Sequence, residues 1–217
     1  MIHSDGTHDV DIRFLLGIED MSCIVADALR QLGSGRALGL PGIFPHGSRK
    51  RACGPAFTVR YEACGADRGH TTEHRLGAAF DFRALFAGAR RGEVAVFDCP
   101  VQDVAVLGSM GVAWARHFGV TGCVVNGAVR DVEAVAASEI PVWARHVTPV
   151  GGRGSLIQAE VGGPISLGGA MVNPGDIVVA DGNGVAVIPA GSLDAVARMV
   201  ADLQQAETAS AGAFEVN

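Results

Sequence analysis

The chain has 217 residues and a mass of 22.3 kDa; 48% of the residues are hydrophobic and 18% charged, enough to bury a sizeable core and too apolar for general disorder. Seventeen basic against 23 acidic residues give a net charge of −6, which argues against a broad basic face for nucleic acid. Sixteen of the basic residues are arginine and the one lysine, Lys50, lies between Arg49 and Arg51, so catalysis through a lysine desolvated in a pocket is poorly supported.

In chain order, residues 1–15 read as a loose tail. Ser22 is placed to cap a helix with Ile24, Val25, Ala28, Leu29 and Leu32 on one face, and Gly33 to end it. Residues 33–54 read as an extended loop with a turn at Leu40-Pro41-Gly42. Ala56-Phe57-Thr58-Val59-Arg60-Tyr61 is rich in strand formers, 65–75 reads as a charged loop, and 76–90 as a helix. Three short apolar strands are expected at 93–98, 122–126 and 140–144, separated by helices over 103–118 and 130–138. This strand–helix alternation predicts an α/β fold with a central parallel βαβαβ unit.

Farther on, Asn173-Pro174-Gly175-Asp176 and Asp181-Gly182-Asn183-Gly184 punctuate short strands. The second turn joins 177–180 to 185–188 as a hairpin. Ser192 is read as the cap of a final helix, and 206–217 as a second loose tail. Neither a linker nor an internal repeat divides the chain, so a single domain over 1–217 is expected. The five cysteines include no C-x-x-C pair and fit reduced thiols. The N-terminus lacks the basic and apolar regions of a signal peptide, and no apolar run approaches the ~18 residues of a membrane span. The expectation is a cytoplasmic protein with no membrane partner.

Three constellations have the residue types for chemistry. His70-Thr71-Thr72-Glu73-His74 has H-x-x-E-H spacing, which on a continuous helix would place two metal ligands on one face; a solvated loop is the plainer reading. Gly33-Ser34-Gly35-Arg36-Ala37-Leu38-Gly39 follows a helix and has the wrong spacing for a dinucleotide turn. Asn126-Gly127-Ala128-Val129-Arg130-Asp131-Val132-Glu133 lies at the carboxyl end of a strand and the start of a helix, where α/β sheets bind ligands. There Asp131 could ligate Mg²⁺ and Arg130 grip a carboxylate; a surface charge pair at a helix N-terminus is the alternative. Gly108, Ser109, Met110 and Gly111 open another helix, and their amides could cradle a small carboxylate in the same crevice.

These pieces together resemble a known family. Pro41-Gly42-Ile43, Gly54-Pro55-Ala56-Phe57-Thr58-Val59, Gly92-Glu93-Val94, Leu107-Gly108, the run from Gly119 to Asp131, Pro141-Val142-Trp143-Ala144-Arg145, Asn173-Pro174-Gly175-Asp176 and Asp181-Gly182-Asn183-Gly184-Val185 are similar to RraA-like proteins. That family includes the 4-hydroxy-4-methyl-2-oxoglutarate and 4-carboxy-4-hydroxy-2-oxoadipate aldolases. The resemblance implies a layered β/β/α swivelling-type domain, assembled as a homotrimer or a dimer of trimers with its site between subunits. It further implies a metal-dependent carbon–carbon lyase. Asp131 would hold Mg²⁺ or Mn²⁺, and Arg130 would contact the pyruvyl part and steady its enolate. The 108–111 amides would hold the substrate carboxylate. Retro-aldol cleavage of a 4-hydroxy-2-oxo acid and decarboxylation of oxaloacetate share that enolate.

The chain departs from the aldolase pattern in three places. Ser109 stands where the aldolases carry an acid that helps order water at the metal. After residue 190 the chain has no histidine to match the aldolases' C-terminal glutamate and histidine; Glu207 and Glu215 lie in the tail. Residues 64–82, with His70, Glu73, His74 and Asp81, are expanded. Two other readings therefore stand beside the lyase. One is a non-catalytic protein that binds and inhibits a ribonuclease, as RraA proteins do. The other is an enzyme of related enolate chemistry on a different substrate.

Overall fold

Valine-rich runs make the centre of this protein. The computed structural model describes residues 6–34, 42–47, 51–64 and 79–212. In it the runs around Val94, Val124 and Val142 form β3 (Val94–Asp98), β5 (Gly122–Val129) and β6 (Val142–Val147). β3 pairs in parallel with β5, and β5 with β6. The connecting helices are α4 (Ser109–His117) and α5 (Val132–Ala136). The expected parallel βαβαβ unit is present. Its strands read as continuous apolar runs because both faces are covered.

β2 (Ala52–Ala63) ties this unit to the rest of the chain. Its residues 56–60 pair in parallel with β3, and 52–55 pair antiparallel with β10 (Ile177–Asp181). β10 turns back into β11 (Gly184–Ile188) as the hairpin expected from Asp181-Gly182-Asn183-Gly184. β1 (Phe44–His46) borders β6, β7 (Leu156–Val161) borders β2, and β8 (Ile165–Leu167) pairs with β9 (Ala170–Val172).

Three cores lie between the layers. Phe57, Phe86, Phe97, Val125 and Val112 pack helices against one face of the parallel strands. Val96, Val124 and Trp143 on the other face meet Leu167, Val178 and Val187, making the β/β part of the sandwich. Trp143 is fully buried there, with its Nε1 donating to the Asp181 carbonyl at 2.8 Å, so the ring is buried without an orphaned donor. The third core covers the outer face of the β10–β11 hairpin with α2 (Met21–Leu32) and α6 (Leu193–Gly212).

Several boundaries differ from expectation. From Gly6 on, the expected N-terminal tail is a helix: α1 (Gly6–Leu16) forms there, because fully buried Leu15 joins Met21, Val25 and Leu29. α6 continues to Gly212 through most of the expected C-terminal tail, led in by a 3₁₀ turn over Ala190–Ser192. Ser22 is not the cap of α2. Asp20 holds that position in a left-handed conformation, while the Ser22 amide and hydroxyl both donate to buried Asp181 at 2.7 Å. Gly33 does end α2, at φ 59°.

The expected loop over 33–54 contains β1 and the start of β2. Of the helix expected over 76–90, the described residues 79–90 form α3 (Phe82–Phe86), capped by Asp81, whose carboxylate accepts from the Ala84 amide at 3.0 Å. The helix expected over 103–118 divides into β4 (Ala105–Leu107), parallel to β5, and α4. No helix among the described residues is long and apolar enough to cross a membrane.

Candidate active site

β4 and β5 run side by side, so the loops at their carboxyl ends emerge together. The pairing of Leu107 with Val129, and the Arg130 amide donating to the Leu107 carbonyl at 3.0 Å, fix the two exits. Gly108-Ser109 leaves one strand and Arg130-Asp131 the other. The expectation of one shared crevice holds, although the strand feeding 108–111 is β4 and not the one ending at Asp98.

Asp131 adopts the left-handed region, φ 58° and ψ 40°, at the N-cap of α5. Such backbone is tolerated by aspartate at some cost and clusters at functional positions. The conformation does not make a site by itself. Asp20 shares it, but there the carboxylate accepts from Asn183 Nδ2 at 2.6 Å beside a turn. Asp131 instead turns toward α4. Its Oδ2 accepts from the Ser109 amide and the Ser109 hydroxyl, each at 3.0 Å, and lies 3.7 Å from Arg130 Nε. No described residue donates to Oδ1. The Ser109 amide, partial burial opposing it, the Ser109 hydroxyl and Arg130 together hold this carboxyl below its ordinary range. It is therefore a carboxylate throughout the neutral range.

The pair opens onto a cavity of about 550 Å³, within the usual size range for small-molecule sites. Arg130 and Asp131 are 47% and 38% exposed, so both have solvent and ligand access. Two glycines make their placement possible. A Cβ at Gly108 would stand 2.7 Å from Asp131 Oδ2, and one at Gly151 would stand 2.5 Å from Arg130 Nη1. Neither glycine has positive φ, so room for the neighbouring side chains is what these positions require. The 150–152 segment is laced to β4: the Ala105 amide donates to the Val150 carbonyl at 2.8 Å, and the Gly152 amide to the Ala105 carbonyl at 2.9 Å.

The structure brings together Gly108, Ser109, Met110, Gly111, Arg130 and Asp131, all expected from sequence. The amide cradle is smaller than expected, because the Ser109 amide is committed to Asp131; those of Met110 and Gly111 remain in the first turn of α4, without intrahelical acceptors. Asn126 points to the other layer, where Nδ2 donates to Asp98 Oδ1 at 2.9 Å and to the Ser166 carbonyl at 3.1 Å. Glu133 and Glu207 are exposed and do not line the cavity. His70, Glu73, His74 and Glu215 lie outside the described residues. The sequence reading missed the Gly151-Gly152-Arg153 loop and the Phe80, Phe82 and Trp114 wall. The glycine doublet after β6 was the one local signal.

A carboxylate with one uncommitted oxygen suits Mg²⁺, which commonly binds through one or two carboxylates and keeps several waters or substrate oxygens. No cluster of three or more acidic, histidine or cysteine side chains that could cage a metal occurs among the described residues. The described residues of the site therefore fit a cation whose coordination is completed by water and substrate.

The comparisons with known proteins agree with this architecture. DlpA from Legionella pneumophila is 33% identical over 177 residues, 81% of this chain but 27% of that protein. A protein of Albidiferax ferrireducens named "Putative 4-hydroxy-4-methyl-2-oxoglutarate aldolase" is 31% identical over 179 residues, covering 79% of this chain and 96% of the relative. This chain spans about half the length of some other curated relatives that it matches. Among solved structures, Streptomyces coelicolor RraAS2, described as an unusual member of the RNase ES inhibitor RraA protein family, superposes with a TM-score of 0.79 at 25% identity, over 97% of this chain and 98% of that one. The RraA-like profile, Aldolase/RraA, matches residues 22–187, and this chain belongs to the RraA-like family.

Proposed function

We propose that this protein is a divalent-metal-dependent lyase acting on a small 2-oxo acid, by retro-aldol cleavage of a 4-hydroxy-2-oxo acid, decarboxylation of oxaloacetate, or both. The observation that carries this reading is the division of labour at Asp131. One oxygen is fastened by Ser109, the other accepts from no described residue, and a guanidinium lies alongside at the edge of a cavity.

In this reading Asp131 Oδ1 holds Mg²⁺ or Mn²⁺, and the cation supplies Lewis-acid polarisation of the 2-oxo group. Arg130 pairs with the substrate carboxylate and stabilises negative charge on the enolate oxygen. The Met110 and Gly111 amides, at the positive end of α4, receive a carboxylate oxygen. Ser109 acts through Asp131: by taking Oδ2 it orients Oδ1 toward the cavity. No lysine is among the described residues that line the cavity, which agrees with metal-assisted chemistry over an imine. Met110 and Val150, 66% and 52% exposed, give this region an apolar edge suited to a neighbouring protomer in a homotrimer or dimer of trimers.

The test is pyruvate release from oxaloacetate and from 4-hydroxy-4-methyl-2-oxoglutarate with added Mg²⁺. Activity abolished by EDTA supports the lyase; turnover unchanged in Asp131→Asn contradicts it. A second reading, a protein that binds and inhibits a ribonuclease, is favoured by the near full-length match to RraAS2 and by uncharged Ser109 at the aldolase acid position. It predicts metal-independent inhibition of a ribonuclease E-type enzyme and no pyruvate release.

A further inference from the structure

The described lining of the cavity combines two chemistries: the charged pair Arg130 and Asp131, and the apolar and aromatic side chains of Phe80, Phe82, Met110 and Trp114. Met110 and Trp114 are four residues apart on α4 and so share a helix face. Phe82 is seated across Gly111, where a Cβ would meet the ring at 3.1 Å. Its own position is fixed by stacking on buried Phe86, centroids 6.3 Å apart and planes at 22°, and by an edge contact with Phe80 at 6.0 Å. The wall is therefore a built surface, anchored to the core through Phe86.

Among the described lining residues the cations are Arg130 and Arg153, and Arg153 is exposed to solvent. A second carboxylate lying against these rings would meet faces whose quadrupole is negative, and among the described lining residues solvent-exposed Arg153 is what is left to pair with it. An apolar or aromatic group at the same position would lose water-exposed area and stack. We infer that the distal half of this site selects a 2-oxo acid whose far substituent is apolar or aromatic, against one with a second carboxylate. This specificity rests on the 2-oxo-acid reading of Arg130 and Asp131 and goes beyond it by naming the substrate class.

For a 4-aryl-4-hydroxy-2-oxobutanoate the reaction balances without a co-reactant. The C3–C4 bond breaks with its electron pair passing to C3, and the hydroxyl proton leaves as C4 becomes the aldehyde. A proton returned to C3 gives pyruvate.

The experiment compares 4-hydroxy-2-oxo-4-phenylbutanoate with 4-hydroxy-4-methyl-2-oxoglutarate for pyruvate release, with oxaloacetate as a short dicarboxylate whose distal carboxylate is itself the group lost. In parallel, binding of phenylpyruvate and of 2-oxoglutarate is measured by calorimetry with Mg²⁺ present. The expected result is a preference of about ten-fold or more for the aryl compounds in kcat/KM and in Kd. Trp114→Ala should erase that ratio. Met110→Arg, a change at a position 66% exposed, should move it toward the dicarboxylates. A dicarboxylate preference in the native protein, or a ratio insensitive to both substitutions, overturns the inference. If no compound, oxaloacetate included, releases pyruvate, the lyase reading fails. The binding ratio then decides the inference alone: aryl preference sustains it, and equal or reversed affinity overturns it.

Discussion

Ser109 and Asp131 sit at two different strand–helix junctions, and two donors of the one, amide and hydroxyl, converge at 3.0 Å on a single carboxylate oxygen of the other. That convergence explains how a site of this kind is organised where the aldolase pattern has an acid. An acid at position 109 would repel Asp131 or share a cation with it; serine instead fastens Asp131 in one orientation.

The first prediction concerns this link. Ser109→Ala keeps the amide donor and removes the hydroxyl, so the Asp131 pKa should rise toward the ordinary carboxylate value. A depressed folded-state pKa contributes stability above the unfolded value and loses it as pH falls through the folded one. The acid limb of Mg²⁺-dependent activity should therefore move to higher pH in Ser109→Ala. Identical acid limbs in the pH–rate profiles of the two proteins would refute the coupling.

Gly151→Ala probes the approach of Arg130. The added carbon meets the end of a flexible side chain, so Arg130 must shift while the backbone need not. KM for a 2-oxo acid should rise about ten-fold, one lost charge-assisted contact, with stability changed by about 0.5 kcal/mol or less. Steady-state kinetics beside a thermal melt separates the two effects.

Thiol reactivity tests the cores. Burial pushes Cys53 and Cys123 up to about 12 and Cys99 to about 11, so all three are protonated and shielded at pH 8. A disulfide reagent should label only Cys23 and Cys64 in the folded protein, and all five cysteines after denaturation. Rapid native labelling of Cys123, enclosed between β3 and β6, would contradict the sheet order.

Asp181 tests the joint between α2 and the β10–β11 hairpin. Its carboxylate accepts from the Ser22 amide and hydroxyl and from the Asn183 amide at 2.7–2.8 Å in a buried setting. Asp181→Ala strands those donors and should cost roughly 1–3 kcal/mol or more, measured by denaturant unfolding. A loss below 0.5 kcal/mol, a threshold of about the size of an ordinary surface change, would show that this joint is dispensable.

Much of the frame was legible because its signals are local. Val94-Ala95-Val96-Phe97 and Cys123-Val124-Val125 are continuous apolar runs, and Asp181-Gly182-Asn183-Gly184 is a turn between two more. Arg130-Asp131 was legible from its position after such a run. Ala105-Val106-Leu107 was absorbed into the following helix because three apolar residues carry no period of their own. α1 was hidden for a different reason: what orders it is burial of Leu15 against α2, a contact distant from any capping signal. The wall of Phe80, Phe82 and Trp114 and the Gly151–Arg130 contact arise only when separate loops converge. The Ser109–Asp131 link, across the length of α4 and β5, is of the same tertiary kind.

The most direct measurement is calorimetric titration of oxalate, which mimics the pyruvate enolate, into the native protein and into Asp131→Asn, with Mg²⁺ and with EDTA. Asparagine tolerates the left-handed backbone at this position, so the fold is preserved. The account predicts oxalate binding that requires Mg²⁺ and weakens roughly 100-fold or more in Asp131→Asn, as removal of a metal ligand should. Equal affinity with EDTA, or in the variant, would contradict the assignment of Asp131 as the carboxylate that holds the cation.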